Sequence, residues 1–270
     1  MNAPFRTIRT SDPRFETEDL REVTVKSTLL GMRADITLHV PPAARERTDV
    51  PLVILLHGVY GSHWAWPRMA GAHRVAAELQ QRGALPPCVL AMPSDGLWGD
   101  GSGYLPHRTQ DFERWIVDEV PAATRLAAPC VSEKSPCCIA GLSMGGFGAL
   151  RLAGKYPRRF VAAAGMSSIT QFQEMKEFVE ERLGSFTALE EDWSVLDTIM
   201  RCREPRPALR IDCGTDDPLL AGNRALHAML LAANIPHVYE EFAGGHTWDY
   251  WRARLPEVLQ FFAGALKAAA

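Results

Sequence analysis

The sequence predicts an α/β protein built on an open, doubly wound and mostly parallel sheet. Three observations lead to this prediction. Short continuous apolar runs recur along the chain, each run ends in Gly, Ser, Asp or Pro, and stretches with helical periodicity separate the runs. Strands buried on both faces have continuous apolar runs, and their alternation with helices is typical of a sheet that helices cover on both sides.

The first predicted strands form an antiparallel hairpin. Apolar and polar residues alternate between residues 22 and 40, at Val23 and Val25 and again over residues 34–40, with Gly31 between the two halves. This alternation is typical of strands with one buried face, and we expect the hairpin at an edge of the sheet.

Six buried strands and five amphipathic helices are predicted to follow. The strand runs are VPLVILLHG, PPCVLAMPS, CCIAGLS, FVAAAGMSS, ALRIDCGTDD and HVYEEFAGG. The helical stretches are HRVAAELQQRG, QDFERWIVDEVPAATRLA, GFGALRLAGKYP, NRALHAMLLAANI and DYWRARLPEVLQFFAGALKA. In such a sheet, sites form at the carboxyl ends of the strands.

Residues 169–205 do not fit this alternation. They have a helical pattern but are too long for a simple connection. We interpret them as an inserted helical cap beside the site, in which large side chains such as Phe172 and Phe178 wall a pocket for an acyl group. No internal repeat or low-complexity linker interrupts the chain, so we predict a single domain over residues 1–270.

Composition restricts the class of protein. Of 270 residues, 47% are apolar and 23% are charged, and the formal net charge is −3, which is typical of a globular protein and not of a disordered one. Without blocks of Lys or Arg, nucleic acid and an anionic membrane are not expected as partners. No apolar run is long enough for a membrane span, and the first 20 residues have no apolar core of a signal peptide, so we expect a cytoplasmic protein.

The six cysteines do not suggest a framework of disulfides or a metal site. They are Cys88, Cys130, Cys137, Cys138, Cys202 and Cys213. They contain no C-x-x-C pair, and four of them lie in or beside apolar runs. We therefore expect reduced, buried thiols rather than a disulfide or metal role, and the chain also has no HExxH motif.

The motif GLSMGG, residues 141–146, gives the strongest signal of chemistry. It follows the apolar run CCIA and precedes the helical stretch GFGALRLA. The pattern G-x-S-x-G at a strand-to-helix turn is a nucleophile elbow, in which Gly141 and Gly145 leave room for a tight turn that presents the Ser143 hydroxyl. A serine that only caps a helix is the alternative, which the strand–turn–helix context disfavours.

A second motif, LLHGVYGSHWAW at residues 55–66, follows the first long buried strand. Its H-G-x-x-G pattern can hold a backbone amide for an oxyanion, and we expect that of Val59. The second amide would come from Met144, directly after the nucleophile. His57 precedes the serine, so we expect it to order this loop by hydrogen bonding and not to act as the base.

A carboxylate and a histidine follow the serine in the chain. The sequence EFAGGHTWDYW puts His246 on a Gly-Gly loop before the last helix, where an imidazole can take and return the serine proton. ALRIDCGTDDPLL places Asp212 inside a strand and Asp216 and Asp217 in the turn after it, and position alone leaves these two open. The order serine, aspartate, histidine is that of the α/β-hydrolase fold.

The Gly-rich segment SDGLWGDGSGYLPH has no P-loop lysine, so a nucleotide site is not predicted there. We interpret it as a loop beside the site. Trp98 and Tyr104 from this loop, together with Trp248, are the predicted substrate contacts. Packing in the core or the cap is the alternative reading of Trp248.

The motifs LLHGVYGSHWAW, GLSMGGFGALRLA, GTDDPLLAGNRAL and GGHTWDYW together resemble a known esterase family. It includes esterase D (S-formylglutathione hydrolase), tributyrin and feruloyl esterases, and the mycobacterial antigen 85 acyltransferases. The resemblance runs from about residue 22 to residue 263 and implies an α/β-hydrolase fold and serine carboxylesterase activity without a cofactor. The last aspartate of the family pattern G-x-x-D is catalytic and falls on Asp217, and the oxyanion amide after H-G falls on Val59.

Two features separate this chain from parts of that family. S-formylglutathione hydrolases read GHSMGG, whereas Leu142 stands at the position of that histidine. Antigen 85 proteins are secreted, whereas no signal peptide is expected here.

The sequence therefore predicts a serine carboxylesterase for short or medium acyl esters, with Ser143 as nucleophile, His246 as base and Asp217 as its partner. A thioesterase of the S-formylglutathione hydrolase type is the alternative enzyme, and a hydrolase-fold protein that only binds a ligand is the alternative of another class. A small-molecule ester is the expected partner, no cofactor or metal is expected, and a homo-oligomer is left open.

Overall fold

A nine-stranded sheet runs through the computed structural model, which describes residues 5–185 and 190–269. The strands are β1 Ile8–Thr10, β2 Leu20–Lys26, β3 Arg33–His39, β4 Leu52–Leu56, β5 Val89–Pro93, β6 Cys137–Leu142, β7 Ala162–Met166, β8 Ala208–Gly214 and β9 Val238–Phe242. Their spatial order is β1-β2-β3-β5-β4-β6-β7-β8-β9. All six predicted strands are confirmed, since each apolar run contains one of the strands from β4 to β9. The first five are buried, but β9 lies at the edge of the sheet and none of its residues is buried, so the expectation of a buried strand was wrong there.

The sheet is parallel from β5 to β9 and antiparallel at its N-terminal end. The predicted hairpin is confirmed as β2 and β3, which pair antiparallel. It lies one strand in from the edge, because β1 pairs with β2 and places Ile8 opposite Val25. The sequence analysis missed β1 because three residues are too short to show a period of two.

Helices cover both faces of the sheet, as predicted. The α-helices are α1 Pro42–Arg45, α2 Ala72–Gln81, α3 Phe112–Arg114, α4 Val120–Ala127, α5 Met144–Lys155, α6 Val195–Met200, α7 Leu220–Ala232 and α8 Trp248–Ala269, with π-helical turns at Trp66–Ala70 and Trp115–Glu119. α2 and α8 pack on one face, and the elements from α3 to α7 pack on the other. Successive residues of a strand point to opposite faces of the sheet. Val53 and Leu55 of β4 accordingly pack on the face of α2 and α8, whereas Ile54 and Leu56 pack on the face of α3 to α7. The doubly wound α/β prediction is therefore confirmed.

The insertion at residues 169–205 has less regular structure than its sequence pattern predicts. Its described part consists of 3₁₀ turns at Phe172–Glu177, Leu183–Ser185 and Glu190–Asp192, followed by α6. Residues 186–189 of the insertion lie outside the described residues. We call residues 169–185 the strap.

Phe172 does not wall a pocket. Its side chain is fully buried, and its ring packs 6.4 Å from that of Phe147 and 5.1 Å from that of Trp193. The expectation for Phe172 was therefore wrong, because the strap turns this ring inward onto α5. The organisation as a single domain stays a prediction.

Candidate active site

Ser143 is the single residue between β6 and α5, at the carboxyl end of the sheet. β6 ends at Leu142 and α5 begins at Met144, and Ser143 between them has φ 52° and ψ −120°. A positive φ is strained for any residue with a side chain and is common at functional sites. The turn therefore holds the serine in the geometry of a nucleophile elbow.

The two glycines of GLSMGG are required by close backbone contacts. A Cβ on Gly141 would lie 2.2 Å from the Gly145 carbonyl carbon. A Cβ on Gly145 would lie 2.3 Å from the Leu56 carbonyl oxygen. Both distances are far below van der Waals contact, so β4, β6 and the start of α5 approach as closely as they do only because neither position has a side chain.

Ser143, His246 and Asp217 form a hydrogen-bonded series. The Ser143 hydroxyl Oγ lies 3.0 Å from His246 Nε2, and His246 Nδ1 lies 2.9 Å from Asp217 Oδ2 and 3.1 Å from Oδ1. Nδ1 faces only a carboxylate acceptor, so it carries the hydrogen, and Nε2 is left to accept the serine proton. The three residues come from the loops after β6, β8 and β9, which the parallel topology brings to one edge.

The structure distinguishes the two neighbouring aspartates. Asp217 is buried and receives hydrogen bonds from His246 and from the Leu219 amide, whereas the side chain of Asp216 is exposed. Burial opposes ionisation of Asp217, but the hydrogen bonds from His246 and Leu219 outweigh it and hold the pKa of this carboxyl below its usual value. Asp217 is therefore the ionised partner of the imidazole.

Asp216 links the same two loops through its backbone. Its amide donates to the Gly244 carbonyl at 2.9 Å, and a Cβ on Gly214 would lie 2.2 Å from that carbonyl oxygen. This close approach of the loops after β8 and β9 fixes the distance between Asp217 and His246.

The loop after β4 lies directly against the elbow. A Cβ on Gly58 would lie 3.3 Å from Ser143 Cβ, and one on Gly101 would lie 2.5 Å from Met144 Sδ and 3.2 Å from Val59 Cγ1. The side chains of Val59 and Met144 therefore both lie against Gly101, and Val59 lines the same cleft as Ser143. The Met144 amide is in the first turn of α5, where no intrahelical acceptor exists, so it is free to bind an oxyanion.

His57 holds this loop from beneath. Nδ1 donates to the Gly58 carbonyl at 2.6 Å, and Nε2 accepts from the Asp95 amide at 3.0 Å, so both ring nitrogens are occupied. Burial lowers the pKa of His57, in keeping with a neutral ring. His57 thus orders the loop, as its position in the sequence predicted.

Sequence reasoning missed the role of Asp95 in this support. The Asp95 carboxylate accepts from the amides of Leu97 at 2.8 Å and Ser102 at 2.7 Å, so it folds the Gly-rich loop onto His57. The signal that could have found it is its place directly after β5, at the carboxyl edge of the sheet where functional side chains gather.

Tyr104 does not form a pocket wall, which corrects the prediction from the sequence. It is fully buried, and its hydroxyl donates to the His57 carbonyl at 2.9 Å. Its own carbonyl accepts from Arg151 of α5 at 2.6 Å. Tyr104 therefore joins α5 to the loop of Val59 behind the site.

Trp98 does not line the open cleft beside Ser143 either. Its half-buried ring packs edge-on against His107, with 4.2 Å between ring centroids. Of the three predicted substrate contacts, Trp248 is the one that lines the cleft. Trp98 and Tyr104 were wrong because the Gly-rich loop folds back against the core.

A mostly apolar cleft of about 420 Å³ opens beside Ser143. Its larger lining side chains are Tyr60, Trp64, Met69, Leu142, Phe178, Trp248 and Trp251. The ring of Trp251 meets that of His246 edge-on, with 4.9 Å between centroids. Among the described residues that line the cleft, none is Lys or Arg. The cleft is therefore suited to an uncharged, apolar ligand.

Within residues 5–185 and 190–269, no group of three or more His, Cys, Asp and Glu side chains is arranged to hold a metal ion. Over the same residues, no helix is long and apolar enough to cross a membrane.

Comparison with known proteins agrees with this geometry. The model of the family described as "Putative esterase" matches residues 27–262 of the chain. The chain belongs to this esterase family. An acetyl esterase from Caldicellulosiruptor saccharolyticus is 28% identical over 234 residues, which cover 80% of this chain and 84% of that protein. The protein is thus a serine hydrolase that acts on carboxylic esters.

Solved structures of related esterases have the same fold. A ferulic acid esterase superposes with a TM-score of 0.78 at 23% identity, covering 97% of this chain and 99% of that one. The S-formylglutathione hydrolase FrmB from Staphylococcus aureus superposes with a TM-score of 0.75 at 19% identity, covering 94% and 99%. The α/β-hydrolase fold predicted from the order of the motifs is confirmed.

Proposed function

We propose that this esterase hydrolyses uncharged esters with short or medium acyl groups through an acyl-enzyme on Ser143. The observation that carries the proposal is the hydrogen-bonded series from Ser143 Oγ through His246 to the Asp217 carboxylate. The series provides the three groups that serine catalysis requires. Ser143 supplies the hydroxyl, His246 Nε2 accepts the proton of that hydroxyl, and the Asp217 carboxylate holds the imidazole in one tautomer.

The reaction follows from these positions. Ser143 Oγ attacks the ester carbonyl while His246 Nε2 takes its proton, and the backbone amides of Val59 and Met144 donate to the oxyanion. The C–O bond to the alcohol then breaks as His246 returns the proton to the leaving oxygen. A water molecule then attacks the acyl carbonyl while His246 Nε2 takes its proton. The bond between the acyl carbon and Ser143 Oγ breaks as His246 returns that proton to Oγ, which releases the carboxylic acid and restores the serine hydroxyl. The Asp217 carboxylate stabilises the positively charged imidazolium of His246 during both the formation and the hydrolysis of the acyl-enzyme.

The character of the cleft supports an ester over the alternative, S-formylglutathione. Glutathione is a thiol whose carboxylates outnumber its ammonium group, so its recognition calls for cationic side chains. The described lining of the cleft has no Lys or Arg, and Asp100, Glu180 and Glu181 lie close to Tyr60 at its rim. Repulsion by these carboxylates disfavours an anionic leaving group.

The experiment compares kcat/KM over p-nitrophenyl esters from acetate to dodecanoate, a feruloyl ester and S-formylglutathione. We expect the short and medium esters to be the best substrates. Ser143→Ala should lower kcat by at least about 10³-fold on every ester and should lose labelling by a fluorophosphonate, while the fold is retained. A higher kcat/KM for S-formylglutathione would favour the thioesterase, and unchanged activity of the Ser143 variant would exclude this nucleophile.

We also propose a cytoplasmic location and a small-molecule ester as the protein's partner. All six cysteines are free, and burial raises the pKa of the Cys88 and Cys137 thiols to about 12. Reduced, unreactive thiols are typical of proteins in a reducing compartment. Fractionation of the source cells should place the protein with cytoplasmic markers, and its recovery from the secreted or membrane fraction would contradict this.

A further inference from the structure

Phe178 of the strap packs directly on His246. The two rings are stacked, with 5.4 Å between centroids and 29° between planes. Phe178 is half-buried and lines the cleft, so one face of the imidazole is covered by an apolar ring that a bound ester would also meet. Phe178 reaches this position from a segment that is distant in sequence from every other residue of the site.

Tyr60, which also lines the cleft, holds the backbone of Phe178 by a hydrogen bond. The Tyr60 hydroxyl donates to the Phe178 carbonyl at 2.7 Å, and Tyr60 itself is the neighbour of Val59. The position of the Phe178 backbone is thereby tied to the loop that carries the oxyanion amide.

Asp100 adds further ties between the strap and the loops around Ser143. Its side chain accepts from the Glu180 amide at 2.8 Å, its amide donates to the Glu181 carboxylate at 3.1 Å, and its carbonyl accepts from the Tyr60 amide at 2.9 Å. These contacts tie the strap, just after Phe178, to the loops on either side of Ser143.

The chemistry of ester cleavage shows which part of a substrate meets Phe178. His246 Nε2 must return a proton to the leaving oxygen, so the alcohol portion lies beside the imidazole when the C–O bond breaks. A ring stacked on that imidazole is therefore a wall of the leaving-group side. The sequence analysis expected the insertion to wall the acyl pocket, whereas the stacking favours the alcohol side.

We infer that Phe178, held by Tyr60, determines leaving-group selectivity and favours esters of ring-bearing alcohols. The inference rests on the proposed function, because it requires His246 to protonate the leaving oxygen. Aromatic rings pack favourably on one another at centroid separations of 4.5–7 Å, and Trp248 and Trp251 supply further rings in the cleft. An alcohol without a ring makes less of this contact.

Two substrate series test the inference. The first keeps the acyl group and varies the alcohol, with methyl, butyl and benzyl acetate, and the second keeps p-nitrophenol and varies the acyl group from acetate to hexanoate. In Phe178→Ala, we expect the benzyl-to-methyl ratio of kcat/KM to fall about tenfold. The hexanoate-to-acetate ratio should change less than about twofold. Tyr60→Phe, which removes only the hydroxyl, should lower the benzyl-to-methyl ratio about two- to threefold.

Controls separate this role from its alternatives. Met69→Ala trims another apolar wall of the cleft that has no ring to stack on an alcohol, and it should change the benzyl-to-methyl ratio much less than Phe178→Ala does. If Phe178→Ala does not fold, Phe178→Leu keeps much of the apolar volume without the ring and should still lower the ratio. A shift in the acyl series alone, an equal loss on all esters, or the same shift in Met69→Ala would overturn the inference. Failure of the wild type on every ester, or persistence of activity in Ser143→Ala, would instead refute the proposed function.

Discussion

We call the residues around Ser143, namely the nucleophile elbow, the loop of Val59 and the loops of Asp217 and His246, the floor of the cleft. In the floor, backbone packs directly against backbone. Gly145 lies against the Leu56 carbonyl and Gly58 lies against Ser143, with no room for a methyl group at the first contact and little at the second. The strap and the Tyr60 side chain that holds it form a second region, which we call the roof. The strap is built of short 3₁₀ turns and is held by a few polar contacts, such as that from the exposed Tyr60 to Phe178. The floor is fixed by steric exclusion, whereas the roof depends on hydrogen bonds near solvent.

The two regions are therefore expected to respond differently to substitution. The floor holds the groups that every ester meets, namely the nucleophile, the base and the oxyanion amides, so changes there should alter the rate on all substrates alike. The roof contacts the variable part of a substrate through Phe178, so changes there should alter selectivity more than rate. A change in the floor that alters selectivity would contradict this division.

The largest expected effect comes from Asp217 in the floor. Asp217→Asn removes the charge that orients His246 and stabilises its imidazolium, and the loss in a well-studied serine protease, the source of this magnitude, is about 10⁴-fold. We expect kcat to fall by about 10³- to 10⁴-fold on all esters, with their relative rates unchanged. The matched control is Asp216→Asn, whose exposed side chain should cost less than about tenfold. Steady-state kinetics at one pH, with circular dichroism to verify folding, measures both, and the reverse ranking would identify Asp216 as the acid.

The next effect concerns Asp212 in β8, beneath the loops of Asp217 and His246. Asp212 is fully buried, and its Oδ1 accepts from the Tyr250 hydroxyl at 3.1 Å. Its Oδ2 lies 3.5 Å from Arg210 Nε and has no hydrogen-bond partner within residues 5–185 and 190–269. Burial raises the pKa of Asp212 from the ordinary value of 3.8 to about 7. Because folding raises this pKa, the protonated Asp212 carboxyl stabilises the folded state at low pH. This stabilisation decreases as the pH rises above the ordinary value of 3.8 and is lost once the pH passes about 7.

Asp212→Asn should remove this dependence, because the amide keeps the shape and the acceptor for Tyr250 but does not ionise. We expect the free energy of unfolding of the variant, relative to the wild type, to increase by about 3 kcal/mol between pH 5 and pH 8. Urea unfolding at several pH values measures this difference. If the difference in unfolding free energy between the variant and the wild type stays constant with pH, folding does not raise the pKa of the Asp212 carboxyl.

The floor was largely predictable from the sequence because its signals are local. GLSMGG encodes a turn of six residues, and the apolar runs encode strands buried on both faces, so neither depends on distant contacts. The choice between Asp216 and Asp217 was not local. Which of two adjacent loop residues points inward is decided by the backbone contacts of Gly214 and Asp216 with Gly244, from a different loop.

The roof was predicted poorly because its contacts join distant segments. Phe178 reaches Tyr60 across 118 residues, and no periodicity in the strap signals a stack on His246. The helical pattern of the insertion also overstated its regularity, because most of its described residues form short turns around buried side chains such as Phe172. Tertiary contacts thus overrode the local pattern.

The smallest expected effect comes from Tyr104, which lies behind the floor and links α5 to the loop of Val59. Tyr104→Phe removes the hydroxyl that donates to the His57 carbonyl at 2.9 Å and leaves a buried acceptor without that partner. Such a loss costs about 1–3 kcal/mol in unfolding free energy, and we expect about 1–2 kcal/mol because the ring and the bond from Arg151 remain. With its support loosened, the Val59 amide should bind the oxyanion less well, so kcat should fall about three- to tenfold. Urea unfolding and the two ester series measure these effects, and the benzyl-to-methyl ratio should equal that of the wild type. A lowered ratio like that expected for Phe178→Ala would mean that Tyr104 acts on the strap, and the floor and the roof would then not be separate in function.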